Sequence, residues 1–218
     1  MVIQNWDVAR TIENLEIEDC HVVLDLGCGN GRHSRIVDQF HPRLLIDLDI
    51  DLGGLDQLKR KNPPDSSQHP SNCIYVCADA LKLPFPNLVF DRAICSLVLY
   101  FLPFQTALAE FNRIMKPGGK AYVRVPMLSW TRAIDVLRYK NDLRGAIFCA
   151  CQVFSGFCYA ITGYQFPSLV IRKEKWACYI SHKRFEEAIL RAGFQIEYLH
   201  VSYSKLKIPS IDAQLRKL

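Results

Sequence analysis

Short runs of consecutive apolar residues alternate along the chain with longer segments in which apolar residues recur at helical spacing. The runs have the length of buried strands, and the periodic segments have the pattern of amphipathic helices. The runs are VVLDL (22–26), LLIDLDI (44–50), CIYVCADA (73–80), FDRAICSL (90–97) and KAYVRVP (120–126). The predicted helices cover residues 4–16, 31–40, 52–62 and 105–115.

This alternation of strands and helices predicts a parallel sheet that is covered on both faces. Near the end of the chain, Ser181 and Gly193 mark the start and stop of a further helix. A sixth strand, QIEYLHV, follows it. Only the short SKLKI precedes Pro209, so a seventh strand is either truncated or paired in another way. We therefore predict an α/β fold of Rossmann-like type, a mostly parallel twisted sheet of six or seven strands in one domain over residues 1–218.

Composition narrows the class of protein. The net charge is +5, but the basic residues are scattered, and the cluster Lys59-Arg60-Lys61 lies at the end of a predicted helix. No basic stripe with interleaved aromatic residues occurs, so we predict no nucleic-acid partner. Nine cysteines form no C-x-x-C pair and no cluster with metal-ligand spacing. We predict reduced thiols, no metal and, since no signal peptide is evident, a cytoplasmic location.

Glycines follow the first predicted strand at every second position, in the motif LDLGCGNGRH. A dinucleotide-binding loop has the spacing G-x-G-x-x-G. Counting from Gly27, the sixth position here is Arg32. No G-x-x-x-x-G-K-[ST] motif occurs, which excludes a triphosphate-binding loop of that type. The ligand of this bare main chain is therefore predicted to be neither a dinucleotide nor a nucleoside triphosphate.

Several ordered motifs resemble those of a known family. Four stretches resemble, in order, the five motifs of the class I S-adenosylmethionine-dependent methyltransferases. They are VLDLGCGNGRH, LDIDLGGL, CADALKLPFPNLVFDRAICSLVLYFL, which resembles the third and fourth motifs together, and RIMKPGGKAYV. The resemblance covers about residues 20–125. Within the family it is similar to the small-molecule group, methyltransferase type 11, which includes quinone-biosynthesis enzymes. It implies S-adenosylmethionine as the cofactor.

The resemblance also implies which residues bind the cofactor. The glycines would approach its methionine part, an acid at the end of the second strand would receive both ribose hydroxyls, and the acid ending the third strand would accept from the adenine amino group. For the ribose, Asp47 and Asp49 remain alternatives; we favour Asp49, because Leu55 then matches the family pattern and Asp51 falls at a helix cap. The full predicted set is Asp25, Gly27, Cys28, Gly29, Gly31, Asp49, Ile50, Asp79, Ala80, Leu81, Ser96 and Leu97.

The methyl acceptor is less well marked. The chain reads CSLVLYFL where the amino-methylating members of the family have an N-P-P-Y type motif. We therefore expect transfer to an O or C atom, which requires a base only if the nucleophile retains a proton. Tyr100 and His33 are the candidate catalytic residues. Two other hypotheses stay open: a catalytically idle scaffold that binds the cofactor or a partner, and an aminopropyl-transferring or nicotinamide enzyme.

One long segment, residues 145–171, contains no charged residue. It exceeds the ~18 residues of a membrane span, but crossing a membrane would separate the last helix and strand from their own sheet. We read residues 127–180 as a substrate-side insertion after the fifth strand, with residues 145–164 either a helical lid or an extra buried helix. A lid predicts a small hydrophobic or aromatic substrate, is compatible with transient contact with a membrane surface, and leaves the oligomeric state open.

Overall fold

The computed structural model describes residues 8–61, 72–128, 143–165, 178–203 and 209–218. Six α-helices and seven strands lie in these parts of the chain, with 3-10 turns at Asp38–Phe40 and Leu99–Phe101. The strands are β1 (Val22–Leu26), β2 (Leu44–Asp49), β3 (Cys73–Cys77), β4 (Phe90–Ser96), β5 (Met115–Pro126), β6 (Phe194–Tyr203) and β7 (Pro209–Lys217). The helices are α1 (Val8–Glu13), α2 (Ser34–Val37), α3 (Leu52–Lys61), α4 (Phe104–Ile114), α5 (Leu143–Thr162) and α6 (His182–Arg191).

The seven strands form one sheet in the order β3-β2-β1-β4-β5-β7-β6. β1 to β5 are parallel, and β7 runs antiparallel between β5 and β6. The order reverses between β1 and β4, and in such open sheets ligands bind at the carboxyl ends of the strands beside that switch. The predicted Rossmann-like fold is confirmed.

Helices cover both faces of the sheet. Residues of α4 and α6 pack on the larger apolar cluster, where Phe111, Phe185 and Phe194 are fully buried. The opposite face packs against α1 and α2 through Ile12, Leu15 and other apolar residues. α3 covers the same face as α1 and α2, beside β3. This burial explains why the strands read as continuous apolar runs rather than as an alternating pattern.

Several boundaries differ from those predicted. The helix expected from Gly31 begins at Ser34, because the turns of the glycine loop occupy residues 27–33. β5 begins at Met115 rather than at Lys120, since Met115 already pairs with Phe90 across a register shift. The capped helix is confirmed: the Ser181 hydroxyl accepts from the Arg184 N–H at the start of α6.

The seventh strand exists, and it lies in the segment after Pro209 that the sequence did not assign. SKLKI, residues 204–208, is outside the described residues. β7 carries polar residues at buried positions, and they have partners on its two neighbours. Asp212 accepts a hydrogen bond from the Tyr122 hydroxyl at 2.5 Å, is bonded to the Ser202 hydroxyl, and lies 3.5 Å from Arg124 Nε. These contacts stabilise a strand whose composition is typical of a loop.

The segment after β5, which the sequence predicts to be an insertion, contains α5, a helix of 20 residues. Its buried side includes Gln152, Ser155 and Tyr159, whereas Phe154 and Ile161 are 64% and 77% exposed. In the described parts of the chain, no helix has both the length and the apolarity needed to cross a bilayer. Residues 129–142 and 166–177 are outside the described set, as are the side chains of Arg144 and Phe148.

Candidate functional site

The glycine loop after β1 depends on left-handed backbone angles. Gly27, Gly29 and Gly31 have φ values of +75°, +54° and +70°, which other residues rarely adopt. A Cβ on Gly27 would lie 2.1 Å from Cγ2 of Val98, and one on Gly31 would lie 2.9 Å from Leu58. At Gly29 the same position is open space. The first and third glycines therefore permit close packing, and the middle one leaves the main chain bare.

Hydrogen bonds attach this loop to the end of β2. The N–H groups of Gly27 and Cys28 both donate to the Leu48 carbonyl, at 2.6 and 3.0 Å. The Gly29 N–H donates to Asp49 Oδ2 at 3.0 Å, while the Asp51 N–H donates to Asp49 Oδ1 at 3.0 Å. Each oxygen of the Asp49 carboxylate thus has one main-chain donor. Since a carboxylate offers about four acceptor positions, capacity remains for a ligand.

Two crevices meet at Asp49, at the carboxyl ends of the strands. The first, of about 350 Å³, is mainly apolar, and its walls come from the loops after β1, β2, β3 and β4. Its lining includes Gly27, Asp49, Ile50, Asp79, Leu81 and Leu97. The second, of about 370 Å³, lies towards α3 and includes Gly29, Arg35, Gln57 and Lys61. A ligand in the first crevice would lie in an apolar compartment bordered by the carboxylates of Asp49 and Asp79.

Asp79 is held in a tight turn after β3. Its Oδ1 accepts the Leu81 N–H at 2.9 Å, and its carbonyl accepts the Lys82 N–H at 3.0 Å. The side chain is exposed at the mouth of the first crevice, beside Ala80 and Leu81. Its second carboxylate oxygen has no hydrogen-bond partner among the described residues. The carboxylate can therefore accept from a polar edge of a bound ring.

Asp25 and Asp47 form a buried pair behind the glycine loop. They stand opposite each other in the β1–β2 register and are 0% and 1% exposed. The Ser34 hydroxyl contacts both, at 3.3 Å from Asp25 Oδ2 and 2.8 Å from Asp47 Oδ1. Burial, reinforced by the adjacent Asp47, raises the pKa of Asp25 well above its ordinary value. Asp47 is thus part of the interior, and Asp49 is the acid that borders the crevices.

The two candidate catalytic residues lie outside both crevices. His33 Nδ1 is 3.7 Å from Asp25 Oδ2, and burial together with the charges of Arg32 and Arg124 lowers the His33 pKa to about 4. Its imidazole is therefore uncharged and weakly basic at neutral pH. The Tyr100 ring lies against that of Phe101 at a tilt of 34°, with ring centroids 3.9 Å apart, and is nearly parallel to the Tyr179 ring at 6.5 Å.

Four predicted cofactor-binding residues also lie outside these crevices: the buried Asp25 described above, Gly31, which is buried against Leu58, and Cys28 and Ser96. Cys28 is buried with Leu55 and Leu58 under α3, and burial raises the pKa of its thiol. Ser96 is partly buried at the end of β4. That Cys28 and Ser96 contact a ligand through their main-chain atoms stays a prediction.

Sequence reasoning missed part of the crevice wall. Val98, Phe101 and Leu102 line the first crevice and follow Leu97, whose φ of +61° turns the chain after β4. The available signal was the apolar stretch VLYFL, which is neither a strand nor a regular helix. Ser34, which links the two buried acids, carried no sequence signal because its role depends on the β1–β2 register.

A possible metal group lies at the opposite end of the sheet, by the amino end of β1. Atoms of Glu18, Cys20 and His21 are within 4.8 Å of one another, just before β1. The Glu18 N–H, however, donates to His21 Nδ1 at 2.9 Å, so that nitrogen is occupied and the proton of the neutral ring is on Nε2. A metal ion would have to displace this hydrogen bond or that proton. The group is also remote from the crevices, and we assign it no role.

Comparison with known proteins identifies the family of the part of the chain that carries this site. A family model described as a methyltransferase domain, type 11, matches residues 24–123. A malonyl-[acyl-carrier protein] O-methyltransferase of Marinomonas sp. is 37% identical over 117 residues, which are 50% of this chain and 40% of that protein. An uncharacterized protein of Methanocaldococcus jannaschii is 32% identical over 119 residues, 55% of this chain and 47% of that protein. The chain thus spans less than half the length of these curated relatives.

The whole fold is found among solved structures. A SAM-dependent methyltransferase of Methanosarcina mazei has a TM-score of 0.72 and 20% sequence identity, covering 98% of this chain and 99% of that one. At this identity the likeness concerns the fold. Together with the family match over the glycine loop and both strand-end acids, it identifies residues 24–123 as a class I S-adenosylmethionine-dependent methyltransferase domain of the type 11 group.

Proposed function

We propose that this protein transfers a methyl group from S-adenosylmethionine to an O or C atom of a small hydrophobic or aromatic acceptor. The observation that carries the proposal is the position of Asp49. Its carboxylate holds the glycine loop through the Gly29 N–H and also borders the apolar crevice that ends at Asp79. A single ligand with an amino-acid tail, a ribose and an apolar base would match these neighbouring features.

The residues present fit the cofactor part by part. The bare main chain at Gly29 suits the amino-acid tail, since no Cβ occupies the space above it. Asp49 retains acceptor capacity for two ribose hydroxyls, and Asp79 for the adenine amino group. Ile50, Leu81 and Leu97 supply apolar surface for the ring. When bound, the cofactor supplies a methyl group activated by a sulfonium.

The ionisable side chains that line the first crevice are those of Asp49 and Asp79, and both accept main-chain N–H groups. His33, with its pKa lowered to about 4 by burial, is poorly suited to take a proton at neutral pH. We infer that the chain positions a nucleophile that is already ionised, such as a carboxylate or phenolate. Positioning alone can supply much of the acceleration of such a displacement. The O-methyl transfer named for the Marinomonas relative supports an oxygen acceptor.

The insertion over residues 127–180 supports an apolar acceptor. We propose that α5 forms the substrate side of a single domain. Ile147, Phe154 and Ile161 are exposed and recur every seven residues, so they share one face of the helix. Such a face suits an apolar acceptor or transient contact with a membrane surface.

The eight cysteines whose side chains the structure describes are unpaired, which agrees with a cytoplasmic location.

Calorimetry with S-adenosylhomocysteine tests cofactor binding, and transfer of labelled methyl groups tests the reaction. The acceptor panel contains long-chain carboxylates, phenols and malonyl thioesters, with Asp49→Ala as the inactive control. We expect binding and labelling of at least one acceptor class at oxygen. Binding without labelling of any acceptor would favour the scaffold hypothesis, and binding of NADH in preference to S-adenosylhomocysteine would overturn the assignment.

A further inference from the structure

One segment of the chain separates the cofactor crevice from the insertion. We call residues 97–104 the wall segment. On one side, Leu97, Val98, Phe101 and Leu102 line the crevice. On the other side, the Cys178 N–H donates to the Tyr100 carbonyl at 2.7 Å, and the rings of Phe104 and Tyr159 stack at 6.0 Å. The insertion therefore supports the outer surface of the wall segment.

The most specific contact across this boundary is made by Gln165, just after α5. Its Oε1 accepts the Phe104 N–H at 2.8 Å, and its Nε2 donates to the Leu102 carbonyl at 2.7 Å. The two partners flank Pro103. Because one partner is a donor and the other an acceptor, the orientation of the Gln165 amide is fixed. Only a side chain with both kinds of group satisfies the pair.

The backbone of the wall segment needs such a partner. Pro103 precedes α4 and has no N–H or side-chain acceptor with which to cap the helix. The N–H of Phe104 belongs to the first turn of α4, where main-chain donors have no partner within the helix. Gln165, 61 residues later in the chain, takes the place of a local cap. A residue of the insertion thus caps the first turn of α4, directly after the residues that line the crevice.

We propose that Gln165 is a positioning residue that keeps Phe101 and Leu102 against the adenosyl part of the cofactor, and so links the insertion to cofactor affinity. The identity of the ligand in this proposal rests on the proposed function. The hydrogen bonds do not depend on it.

Three variants test the proposal. Gln165→Ala removes both hydrogen bonds, whereas Gln165→Glu keeps an acceptor for Phe104 but places an oxygen against the Leu102 carbonyl. Gln195→Glu is the matched control, since Gln195 is exposed on β6. Hydrogen exchange of the Phe104 amide is measured without ligand. Affinities for S-adenosylhomocysteine and 5′-methylthioadenosine are measured by calorimetry at a temperature where every variant is folded.

In Gln165→Ala, we expect faster exchange of the Phe104 amide and a loss of about three- to tenfold in affinity, equal for both ligands because both contain the adenosyl group. Gln165→Glu should keep the amide protected while losing affinity, and Gln195→Glu should change neither. Unchanged exchange in Gln165→Ala, or unchanged affinity despite faster exchange, would overturn the proposal. If the wild type binds neither ligand, the proposed function and the ligand role of Gln165 both fail, and the exchange data still decide whether the contact forms.

Discussion

Replacing Asp49 by alanine gives the sharpest test of the site. The carboxylate accepts the Gly29 and Asp51 N–H groups, each at 3.0 Å, and borders both crevices. Its loss would remove the acceptor proposed for the ribose hydroxyls. It would also remove one of the three hydrogen bonds that attach the glycine loop to β2, that of the Gly29 N–H. The two donors are exposed, so water can replace the lost partner at little cost to folding.

The expected magnitude follows from the hydrogen bonds. Hydrogen bonds to a charged group contribute about 1.5–3 kcal/mol each, net of exchange with water; for two ribose hydroxyls at the half-buried Asp49 we take the lower end of this range, a loss of about 2–3 kcal/mol. Since each ~1.4 kcal/mol changes an affinity tenfold, we expect S-adenosylhomocysteine to bind about 30- to 140-fold more weakly to Asp49→Ala.

Asp47→Asn is the matched control, because Asp47 lies two residues earlier on the same strand but is buried. An asparagine there can still accept from the Ser34 hydroxyl. Titration calorimetry compares both variants with the wild type after urea unfolding has shown that each is folded. Full affinity in Asp49→Ala would refute the assignment of the ribose. Loss of affinity in Asp47→Asn alone would transfer the role to Asp47.

Three further predictions concern stability, measured by urea unfolding. Gly27→Ala should cost more than Gly118→Ala, because both have φ near +75° but only Gly27 would bring a Cβ against Val98; equal losses would contradict the close packing. The stability of the wild type should fall relative to Asp25→Asn as the pH rises above ~4, by at most about 1.4 kcal/mol per pH unit, because an acid with a raised pKa binds more protons in the folded state; a flat difference would show that Asp25 titrates normally. Asp212→Ala should cost about 3–5 kcal/mol, since it leaves Arg124 and the Tyr122 hydroxyl without their buried partner, and a loss below that of Tyr122→Phe would contradict this account.

The sequence was sufficient where local pattern and position agree. The bounds of β1 were predicted as they are found, because the strand is apolar and ends at glycines that no strand interior favours. The alternation of strands and helices predicted the parallel sheet. The choice of Asp49 over Asp47 relied on the spacing to Leu55, and the structure places Asp49 at the crevices and Asp47 in the interior.

Other features depended on contacts between residues far apart in the chain. β7 has Ser210, Asp212 and Gln214 at buried positions, and such residues indicate a strand only when their partners are known. Tyr122 and Ser202, which bond Asp212, lie on the two neighbouring strands. No local rule could identify them.

The sequence by itself determined the order of strands and helices, the glycine loop, the acid that ends β2 and the acid that follows β3. These features depend on local periodicity and on backbone angles that only glycine adopts readily. Tertiary structure alone decided that β7 inserts between β5 and β6, that Asp25 and Asp47 share Ser34, and that Gln165 supports the crevice wall. Each of these places a polar group in the interior, where its stability depends on a partner that chain folding, and not sequence proximity, brings within hydrogen-bond distance.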